Sequence, residues 1–516
     1  MPATTEPTAS AAAFDPGAPL VAVDLGSNSF RVEIAQLDGG RYRRLDYVKQ
    51  TVRLGGGLDA DGMLTEPAMQ RGFDCLTAFA QRIRSVAPGI GPEHVRAVAT
   101  QTLREAGNRD AFLQRAQAAL GHPIEVISGR EEARLIYAGV MKMQPSDEAR
   151  LVVDIGGRST EMIIGQGRLP ETTESFAVGC VSLSQRFFPA GELTGRGFRA
   201  AQVAAGAELE EALVSFPRHR WDTALGSSGT AGAVAQVLQA ARVTDGRITP
   251  AGVRWMIERC IAAGHVDRLD FPGLKSERRA VIPGGLAVLY TLLANFRIEE
   301  MFPARGALRQ GVVVDLHERL SAATHPQRGD MRDATVRALQ QRFDVDVAQA
   351  ERVQAVALAL FDGAVPQPSP AEAEARRELA WACALHEIGL MVSHHDHHRH
   401  SAYLLAHADA AGFSQSQQRR IGALVLGQRG GLKKIEAALS QPLFAWQVLC
   451  LRLAVIKAHA RGAVDSREMA LRAWGREARL AYSQAWAESR PRTIFLLQEE
   501  AQAWARSGVL KLVLPG

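Results

Sequence analysis

Two similar stretches of sequence decide the fold of this protein: Val21-Ala-Val-Asp-Leu-Gly-Ser-Asn-Ser-Phe30 and Val152-Val-Asp-Ile-Gly-Gly-Arg-Ser-Thr-Glu161. Each joins an apolar, β-branched run through an aspartate and a glycine-rich turn to a second extended run. The two aspartates, Asp24 and Asp154, lie 130 positions apart. This repetition predicts a duplicated α/β unit with one such turn per copy, and therefore a cleft between two related domains.

The remaining sequence divides by composition. With 47% hydrophobic and 22% charged residues among 516, the chain is globular rather than largely disordered, fibrous or a small disulfide scaffold. Strand-like runs alternate with helical stretches up to about Leu320, and long amphipathic segments rich in Ala, Leu and Arg follow. The predicted divisions are a disordered tail over 1–18, an N-terminal α/β domain over 19–137, a second α/β domain over 138–320 and a mostly α-helical region over 330–516.

Breaks and caps mark the helical region. Thr324-His-Pro-Gln-Arg-Gly-Asp330 is the predicted linker, and Val365-Pro-Gln-Pro-Ser-Pro370 is a second break. Ser369 to Glu372 fits a capping box, which predicts a helix that carries Trp381, Leu385 and His386. After Leu320 the strand patterns stop, except that the run from Val509 to Leu514 predicts a closing strand, so a small terminal subdomain is left open.

The net charge of +5 lies entirely in the C-terminal part. Residues 320–516 hold 24 Lys and Arg against 19 Asp and Glu, whereas residues 1–319 hold 36 of each kind. Between His398 and Gly516 the counts are 17 basic and 8 acidic residues. Two interpretations stay open, a basic patch that meets a polyanion and a solvated helical surface.

Cysteine usage and hydropathy indicate the compartment. The cysteines form no CxxC pair and stand singly among apolar residues, as reduced core thiols of a cytosolic protein do; they are Cys75, Cys180, Cys260, Cys383 and Cys450. No run of about 18 apolar residues exists, and the first 20 residues contain no Lys or Arg. We therefore expect a cytoplasmic protein without a membrane span or secretory signal, with peripheral association at the inner face of the cell membrane left open.

Three turns rich in Gly and small hydroxyl residues are candidates for binding phosphate, because they leave successive backbone amides uncovered. The third turn also precedes an apolar helix whose N-terminus would face an anion. The predicted phosphate-binding residues are Gly26, Ser27, Asn28 and Ser29 of the first turn, Gly156, Gly157, Arg158, Ser159 and Thr160 of the second, and Gly226, Ser228, Gly229 and Thr230 of the third.

Two carboxylates end strands at the mouths of the first two turns. Asp24 and Asp154 would be costly to bury without a cation, so a Mg²⁺ ion that bridges carboxylate and phosphate is the expected partner. The alternative for each aspartate is a turn cap.

A helix start supplies a candidate general base. In Ser128-Gly-Arg-Glu-Glu, Ser128 to Glu131 fits a capping box, which gives Glu131 a structural role. Glu132 is turned by about 100° around the helix axis and is free to face the cleft, near the positive end of the helix. Arg104 follows a predicted strand end and could hold a phosphate oxygen; a surface ion pair is its alternative.

Five motifs together make the sequence resemble the exopolyphosphatase and guanosine pentaphosphate phosphohydrolase family. They are Asp24-Leu-Gly-Ser-Asn-Ser-Phe, Ser128-Gly-Arg-Glu-Glu-Ala-Arg-Leu-Ile, Asp154-Ile-Gly-Gly-Arg-Ser-Thr-Glu, Gly226-Ser-Ser-Gly-Thr and Ala307-Leu-Arg-Gln-Gly. His386-Glu-Ile-Gly-Leu and His397-His-Arg-His-Ser-Ala-Tyr extend the resemblance to the helical region of the long bacterial exopolyphosphatases.

The resemblance implies a fold and a set of roles. The fold would be two actin-like ATPase-type (ribonuclease H-like) domains around a cleft, followed by a helical region similar to HD phosphohydrolases. Glu132 matches the residue regarded in that family as the catalytic base, Asp154 and Glu161 match carboxylates that support Mg²⁺ and the attacking water, and Arg104 matches a phosphate-contacting arginine. A homodimer is also implied.

Two positions depart from the family pattern. Arg158 stands where a glycine or alanine is expected, so it either strains a turn that needs positive φ or reaches a phosphate. His386-Glu387 replaces the His-Asp pair of a working HD site, so we expect no second active metal site there. The cluster His394-His-Asp-His-His-Arg-His400 predicts a solvated or anion-facing loop rather than a metal site, because adjacent histidines point in different directions.

The first functional hypothesis is a Mg²⁺-dependent exopolyphosphatase that releases orthophosphate from the end of inorganic polyphosphate, with Glu132 as base. The alternative substrate is guanosine pentaphosphate (pppGpp, guanosine-5'-triphosphate,3'-diphosphate), because the loops would grip phosphate in either case. A non-catalytic phosphate or nucleotide sensor is the alternative of another class, and no nucleic-acid partner is expected.

Overall fold

The computed structural model of the protein describes residues 15, 17–324, 330–365 and 369–515. Most of the predicted tail and parts of both predicted breaks lie outside these residues. The chain forms two compact units, Met1–Arg328 and Gly329–Gly516. Each unit is described by itself.

The first unit begins with a mixed five-stranded sheet in the order β3-β2-β1-β4-β5. Its strands are β1 (Leu20–Leu25), β2 (Ser29–Asp38), β3 (Arg41–Thr51), β4 (Val95–Ala99) and β5 (Ile124–Val126). β1 to β3 pair antiparallel as a meander, whereas β4 and β5 add in parallel after helical crossovers. Every residue of β1 is buried, as its continuous apolar run predicts.

The second sheet of this unit repeats the first. Its strands are β6 (Ala149–Ile155), β7 (Thr160–Gln166), β8 (Leu169–Phe176), β9 (Thr223–Ser227) and β10 (Met301–Pro303), in the order β10-β9-β6-β7-β8. Read from β8, the order and the directions of pairing match those of the first sheet. The predicted duplication is therefore confirmed, and it places Asp24 opposite Arg31 and Asp154 opposite Glu161 at equivalent ladder positions.

Helices cover both sheets. They are α1 (Glu66–Val86), α2 (Gln101–Glu105), α3 (Arg109–Leu120), α4 (Gly129–Met143), α5 (Cys180–Phe187), α6 (Gly195–Leu209), α7 (Ala212–Ser215), α8 (Ser228–Ala240), α9 (Pro250–Ala263), α10 (Ile282–Asn295) and α11 (Leu308–Thr324). α10 is apolar on almost every side and is buried along its length, which makes it the centre of the second sheet's core.

Helices α4 and α11 pack at glycines. A Cβ built on Gly139 would lie 2.2 Å from the Ala307 carbonyl oxygen, and one built on Gly311 would lie 1.7 Å from the Leu135 carbonyl oxygen. Only glycine permits this approach. The packing fixes the position of α4, the helix that carries Glu132.

A buried ionic network joins the start of α4 to α11 and to the first sheet. Arg134 pairs with Glu131 at 2.7 Å and with Asp315 at 2.5 Å, and Arg96 reaches Asp315 at 2.6 Å. Asp315 is buried, but the surrounding guanidinium groups hold its pKa well below the usual range despite that burial. The Glu131 N–H donates to the Ser128 hydroxyl at 3.2 Å, which is one half of the expected capping box. The Glu131 carboxylate pairs with Arg134, a structural contact that sequence reasoning did not identify.

The second unit is mostly helical, as predicted. Its helices are α12 (Met331–Arg342), α13 (Val347–Ala364), α14 (Pro370–Leu385), α15 (His397–His407), α16 (Gln415–Gly427), α17 (Glu436–Leu439), α18 (Pro442–Lys457), α19 (Gln484–Ser489) and α20 (Pro491–Ser507). α14 begins with both halves of the capping box between Ser369 and Glu372, and His386 caps its C-terminus.

A small sheet corrects the prediction that strands stop after Leu320. Besides the predicted closing strand, β13 (Lys511–Val513), the unit contains a hairpin of β11 (Ala470–Trp474) and β12 (Glu477–Ala481). Gly475 turns the hairpin with φ of 61°. The hairpin escaped prediction because its strands are rich in Ala and Arg, which have little strand preference.

Candidate active site

A cleft of about 320 Å³ lies between the two sheets of the first unit. All three glycine-rich turns line it, together with the first turn of α4 and the segment that leads into α11. The first two turns nearly touch, since a Cβ built on Gly157 would lie 3.0 Å from Ser27 Cβ. The volume suits a small phosphorylated ligand.

Ten of the predicted phosphate-binding residues line this cleft. They are Gly26, Ser27, Asn28, Ser29, Gly156, Gly157, Ser159, Ser228, Gly229 and Thr230. The third turn adds backbone strain, because Ser228 has φ of 73°, in the left-handed region that favours glycine. Its hydroxyl donates to the Ile155 carbonyl oxygen at 3.0 Å, which ties the third turn to the second. Strain of this kind is concentrated at ligand-binding sites.

Three predicted phosphate ligands do not line the cleft. Arg158 instead points toward the part of the chain that carries the first sheet. Its Nε donates to Glu105 at the end of α2 at 2.8 Å, and its Nη1 donates to the Gly55 carbonyl oxygen at 3.3 Å. Its φ is negative, so the strain considered for this position is absent. Thr160 is buried and donates to the Val178 carbonyl oxygen. Gly226 lies in β9 against Ala231 and Met301.

Asp24 and Asp154 lie at the floor of the cleft in different environments. Asp24 accepts from Arg31 Nη1 at 3.0 Å. Burial raises the pKa of Asp154 to about 6, against the opposing effects of the Ser227 hydroxyl and the Arg31 cation. Asp154 is therefore a carboxylate that lacks a full counter-charge.

Glu132 and Arg104 form a buried ion pair at the N-terminus of α4. Arg104 Nη1 donates to Glu132 Oε2 at 2.8 Å and to the Ile127 carbonyl oxygen at 3.0 Å. Burial raises the pKa of Glu132 to about 7, and the Arg104 cation moderates that rise. Arg104 Nη2 is buried without a hydrogen-bond partner in the described residues. A carboxylate that titrates near neutrality beside an unused N–H donor suits acid–base work on an anionic ligand.

Glu161 lies behind these groups rather than in the wall of the cleft. It is buried and accepts from the Ser175 hydroxyl at 2.8 Å. Burial and the nearby charges of Glu132 and Asp154 raise its pKa well above the usual value. Its contact with the cleft passes through those two carboxylates.

Sequence reasoning assigned a site role to none of the six basic side chains that line the cleft. They are Arg31, Arg44, Lys49, Arg278, Arg305 and Arg309. Arg31 and Lys49 pair with Asp24 and Glu277. The even count of charges over residues 1–319 concealed this cluster, because sequence counts carry no spatial information. Strand alternation could not have revealed the cluster, because Arg44 and Lys49 are five residues apart on β3 and alternation alone would place them on opposite faces. The register shift opposite Ile34 and Ala35 brings both to the cleft side.

The cleft offers single carboxylates to a divalent cation rather than a complete set of protein ligands. Within the described ranges, no three His, Cys, Asp or Glu side chains are arranged as a ready-made cage for a metal ion. Mg²⁺ commonly binds through one or two carboxylates together with phosphate oxygens and water. Asp154, buried and incompletely neutralised, is a suitable donor of that type.

The histidine cluster of the second unit lies apart from these groups in sequence. His397 and His398 are buried, and burial lowers the pKa of each to about 4, helped by the Arg429 and Lys434 cations respectively. His395 is 93% exposed at its side chain. The expectation was a solvated or anion-facing loop, but α15 begins within the cluster at His397 and buries two of the rings.

No helix among the described residues is long and apolar enough to cross a lipid bilayer. All five cysteines are buried and unpaired, and Cys180 lines the cleft at the start of α5. Burial raises the pKa of its thiol, which therefore stays protonated and weakly nucleophilic.

Solved structures share the fold of the first unit. An exopolyphosphatase-like protein is 24% identical, with a TM-score of 0.54 over 60% of this chain and 100% of that one. An exopolyphosphatase from Cytophaga hutchinsonii ATCC 33406 is 24% identical, with a TM-score of 0.52 over 58% of this chain and 98% of that one. At this identity the likeness concerns the fold alone, and it supports the actin-like ATPase-type architecture.

Sequence relatives extend over both units. A protein from Vibrio vulnificus (strain YJ016) named guanosine-5'-triphosphate,3'-diphosphate pyrophosphatase is 37% identical over 487 residues, covering 93% of this chain and 95% of the relative. The model of the Ppx/GppA phosphatase family matches residues 33–320, and the model of Ppx/GppA phosphatase, domain III matches residues 331–501. Because these matches extend over both units, this chain belongs to the Ppx/GppA phosphatase family.

Proposed function

We propose that this protein hydrolyses the terminal phosphoric anhydride bond of pppGpp and releases orthophosphate. The observation that carries the chemistry is the buried pair of Glu132 and Arg104 beside turns that offer backbone amides. The Vibrio relative supports this substrate, because its name specifies it and it is similar along nearly the whole chain. Polyphosphate, the first hypothesis from the sequence, becomes the second candidate.

In the proposed reaction Glu132 accepts a proton from the water that attacks the terminal phosphorus atom. Its pKa of about 7 leaves a substantial fraction ionised at neutral pH and makes that fraction a stronger base than an ordinary carboxylate. Amides of the three turns donate to oxygens of the transferred phosphoryl group. Arg104 does not line the cleft and its Nη2 is buried, so its side chain must turn toward the cleft for this donor to reach a phosphoryl oxygen. The cleft is partly enclosed, so the effective dielectric constant there is lower than in water and each of these contacts is strengthened.

Mg²⁺ fits the proposal as a second source of positive charge. Asp154 would hold it together with oxygens of the substrate, with Asp24 and Glu161 nearby as the other predicted carboxylates. When bound, the ion would neutralise negative charge on the phosphates. Glu132, Arg104 and the turns keep their roles in either case.

The substitution Glu132→Gln tests the role of the base. It keeps the size of the side chain and removes its ability to accept a proton, so phosphate release should fall by at least about 100-fold. Binding of pppGpp, measured by calorimetry on the full chain, should remain. Release at a near-normal rate would exclude Glu132 as the base, and wild-type binding without any release in Mg²⁺ would favour the sensor alternative.

Polyphosphate stays a candidate because of the 17 basic and 8 acidic residues between His398 and Gly516. Part of this excess is already engaged in ion pairs, such as Arg452 with Glu500 and Arg420 with Glu378. Phosphate release from pppGpp and from long-chain polyphosphate, measured side by side, distinguishes the two substrates. A higher kcat/KM for polyphosphate would reverse the order proposed above.

A further inference from the structure

The cleft contains a second group of basic side chains, away from Glu132. Arg44 lies on β3, Arg305 precedes α11 and Arg309 lies in its first turn. The guanidinium carbons of Arg44 and Arg309 lie 5.3 and 4.8 Å from the centre of the Tyr47 ring. All four side chains line the cleft, and we call them the distal cluster.

The distal cluster has more positive charge than its protein neighbours neutralise. The fully buried carboxylate of Glu33 lies 3.2 Å from Arg309 Nε and 3.4 Å from Arg44 Nε, so one acidic group serves two cations. Gln310 and Tyr42 also donate to that carboxylate. Arg305 forms a hydrogen bond only through its backbone N–H, and its guanidinium has no ion pair within the described residues.

Unbalanced cations in a partly enclosed cleft create a positive potential that attracts an anion. Arg44 and Arg309 are also held by their contacts with Tyr47 and Glu33, so a ligand would find their N–H donors already oriented. Arg305 is exposed, and the N–H donors of its guanidinium group form no ion pair within the described residues. The planar arrangement of these donors matches the oxygens of a phosphate group.

Helix α4 gives the distance between the distal cluster and the candidate base. Glu132 lies in its first turn, whereas the Arg305 N–H donates to the side chain of Gln144, the residue that caps its C-terminus. At 1.5 Å per residue, these two helix positions are separated by about 18 Å. This is a separation along the backbone, and the side chains of Glu132 and Arg305 extend from it into the same cleft. A ligand that carries phosphate groups at two separate places can contact both side chains at once.

We propose that the distal cluster binds a phosphate group of the substrate that is not cleaved, the 3'-diphosphate of pppGpp. This inference rests on the proposed function and adds a specificity role for Arg305. A nucleotide with phosphates at both ends contacts Glu132 and the distal cluster at once, whereas GTP and tripolyphosphate reach only one. The shared chemistry is a remote phosphate group, which a long polyphosphate chain could also supply.

The test compares Arg305→Ala and Arg305→Glu with wild type on pppGpp, GTP and tripolyphosphate. Loss of a charge-assisted contact should lower kcat/KM for pppGpp by about tenfold or more, and charge reversal should lower it further. The loss on GTP and tripolyphosphate should be much smaller, because they lack the remote phosphate group and are affected only by the change in the potential of the cleft. Arg168→Ala is the matched control, because Arg168 is 80% exposed and pairs with Glu318 outside the cleft.

Each outcome decides the inference. An unchanged kcat/KM for pppGpp, or an equal loss on all three substrates, would overturn it. A loss on long-chain polyphosphate that matches the loss on pppGpp would assign the cluster to polymeric phosphate and overturn the 3'-diphosphate assignment. If wild type releases phosphate from none of these substrates, the proposed function fails, and calorimetry then tests the cluster: a preference for pppGpp over GTP that Arg305→Ala removes supports it, and equal affinities refute it.

Discussion

Replacing Arg104 should move the acidic limb of the pH–activity profile to higher pH. Arg104 Nη1 donates to Glu132 Oε2 at 2.8 Å, and the two side chains are only 11% and 10% exposed. Burial raises the pKa of Glu132 to about 7, and Arg104 opposes that rise by stabilising the ionised carboxylate. Without the guanidinium, protonated Glu132 is favoured further, so the base becomes available only at higher pH.

The size of this change follows from the bond that is lost. A hydrogen bond between charged groups contributes about 1.5 to 3 kcal/mol, and one pKa unit corresponds to about 1.4 kcal/mol. Arg104→Met should therefore shift the limb upward by about one to two pH units. It should also lower the plateau at high pH by roughly 10- to 100-fold, since the contact with the transferred phosphate is lost.

The assay is phosphate release from pppGpp between pH 5.5 and 9.5, expressed as kcat/KM, which reports groups of the free enzyme. Arg104→Lys keeps the charge and should recover part of the shift. A plateau that falls while the limb stays at the wild-type pH would show that Arg104 contacts phosphate but does not tune Glu132, and the assignment of the pair would be wrong.

Three further perturbations test other parts of the structure. Arg158→Ala should change kcat/KM little and stability by about 0 to 1 kcal/mol, because Arg158 forms a partly exposed ion pair with Glu105 outside the cleft wall; a loss above tenfold would instead place it on a phosphate. Gly311→Ala should destabilise the protein in urea unfolding by about 1 to 3 kcal/mol or more and lower activity, because its Cβ would meet the Leu135 carbonyl oxygen. Gly232→Ala, whose Cβ meets nothing within 4 Å, is the control and should be neutral or stabilising. Finally, His397 and His398 are buried, and their pKa values are lowered to about 4. Between about pH 7 and 5 the unfolded chain therefore binds more protons at these two histidines than the folded chain does. The free energy of unfolding should fall over this range by about 1 to 2 kcal/mol per histidine. Urea unfolding followed by tryptophan fluorescence should show this slope reduced in His397→Gln and unchanged in the exposed control His395→Gln; equal slopes in both would contradict it.

Much of the fold could be predicted because its signals are local. The β-branched runs that precede Asp24 and Asp154 predicted β1 and β6, and the repeated Asp-Gly turns predicted the duplication that the two sheets confirm. The hairpin Ala470–Ala481 was missed, because its pairing is stabilised by contacts with the rest of the unit rather than by strand-forming residues.

The candidate site was predicted less completely, for a physical reason. Backbone turns depend on Gly and Ser at adjacent positions, so most residues with which the three glycine-rich turns line the cleft could be named from the sequence. The direction of the Arg158 side chain could not be predicted, since a long side chain in a turn can point into the cleft or away from it. In the folded protein its ion pair with Glu105 holds it away from the cleft.

The sequence by itself determined the duplicated α/β unit, its phosphate turns and the candidate pair Glu132 and Arg104. Only the tertiary structure decided the charge of the cleft. Arg44 and Arg305 are far apart in the chain, and residues 1–319 as a whole carry equal numbers of basic and acidic side chains, so the sequence does not show that these two cations meet. It also decided the pKa of Glu132, since desolvation depends on every atom that excludes water and not on the residue or its neighbours in sequence.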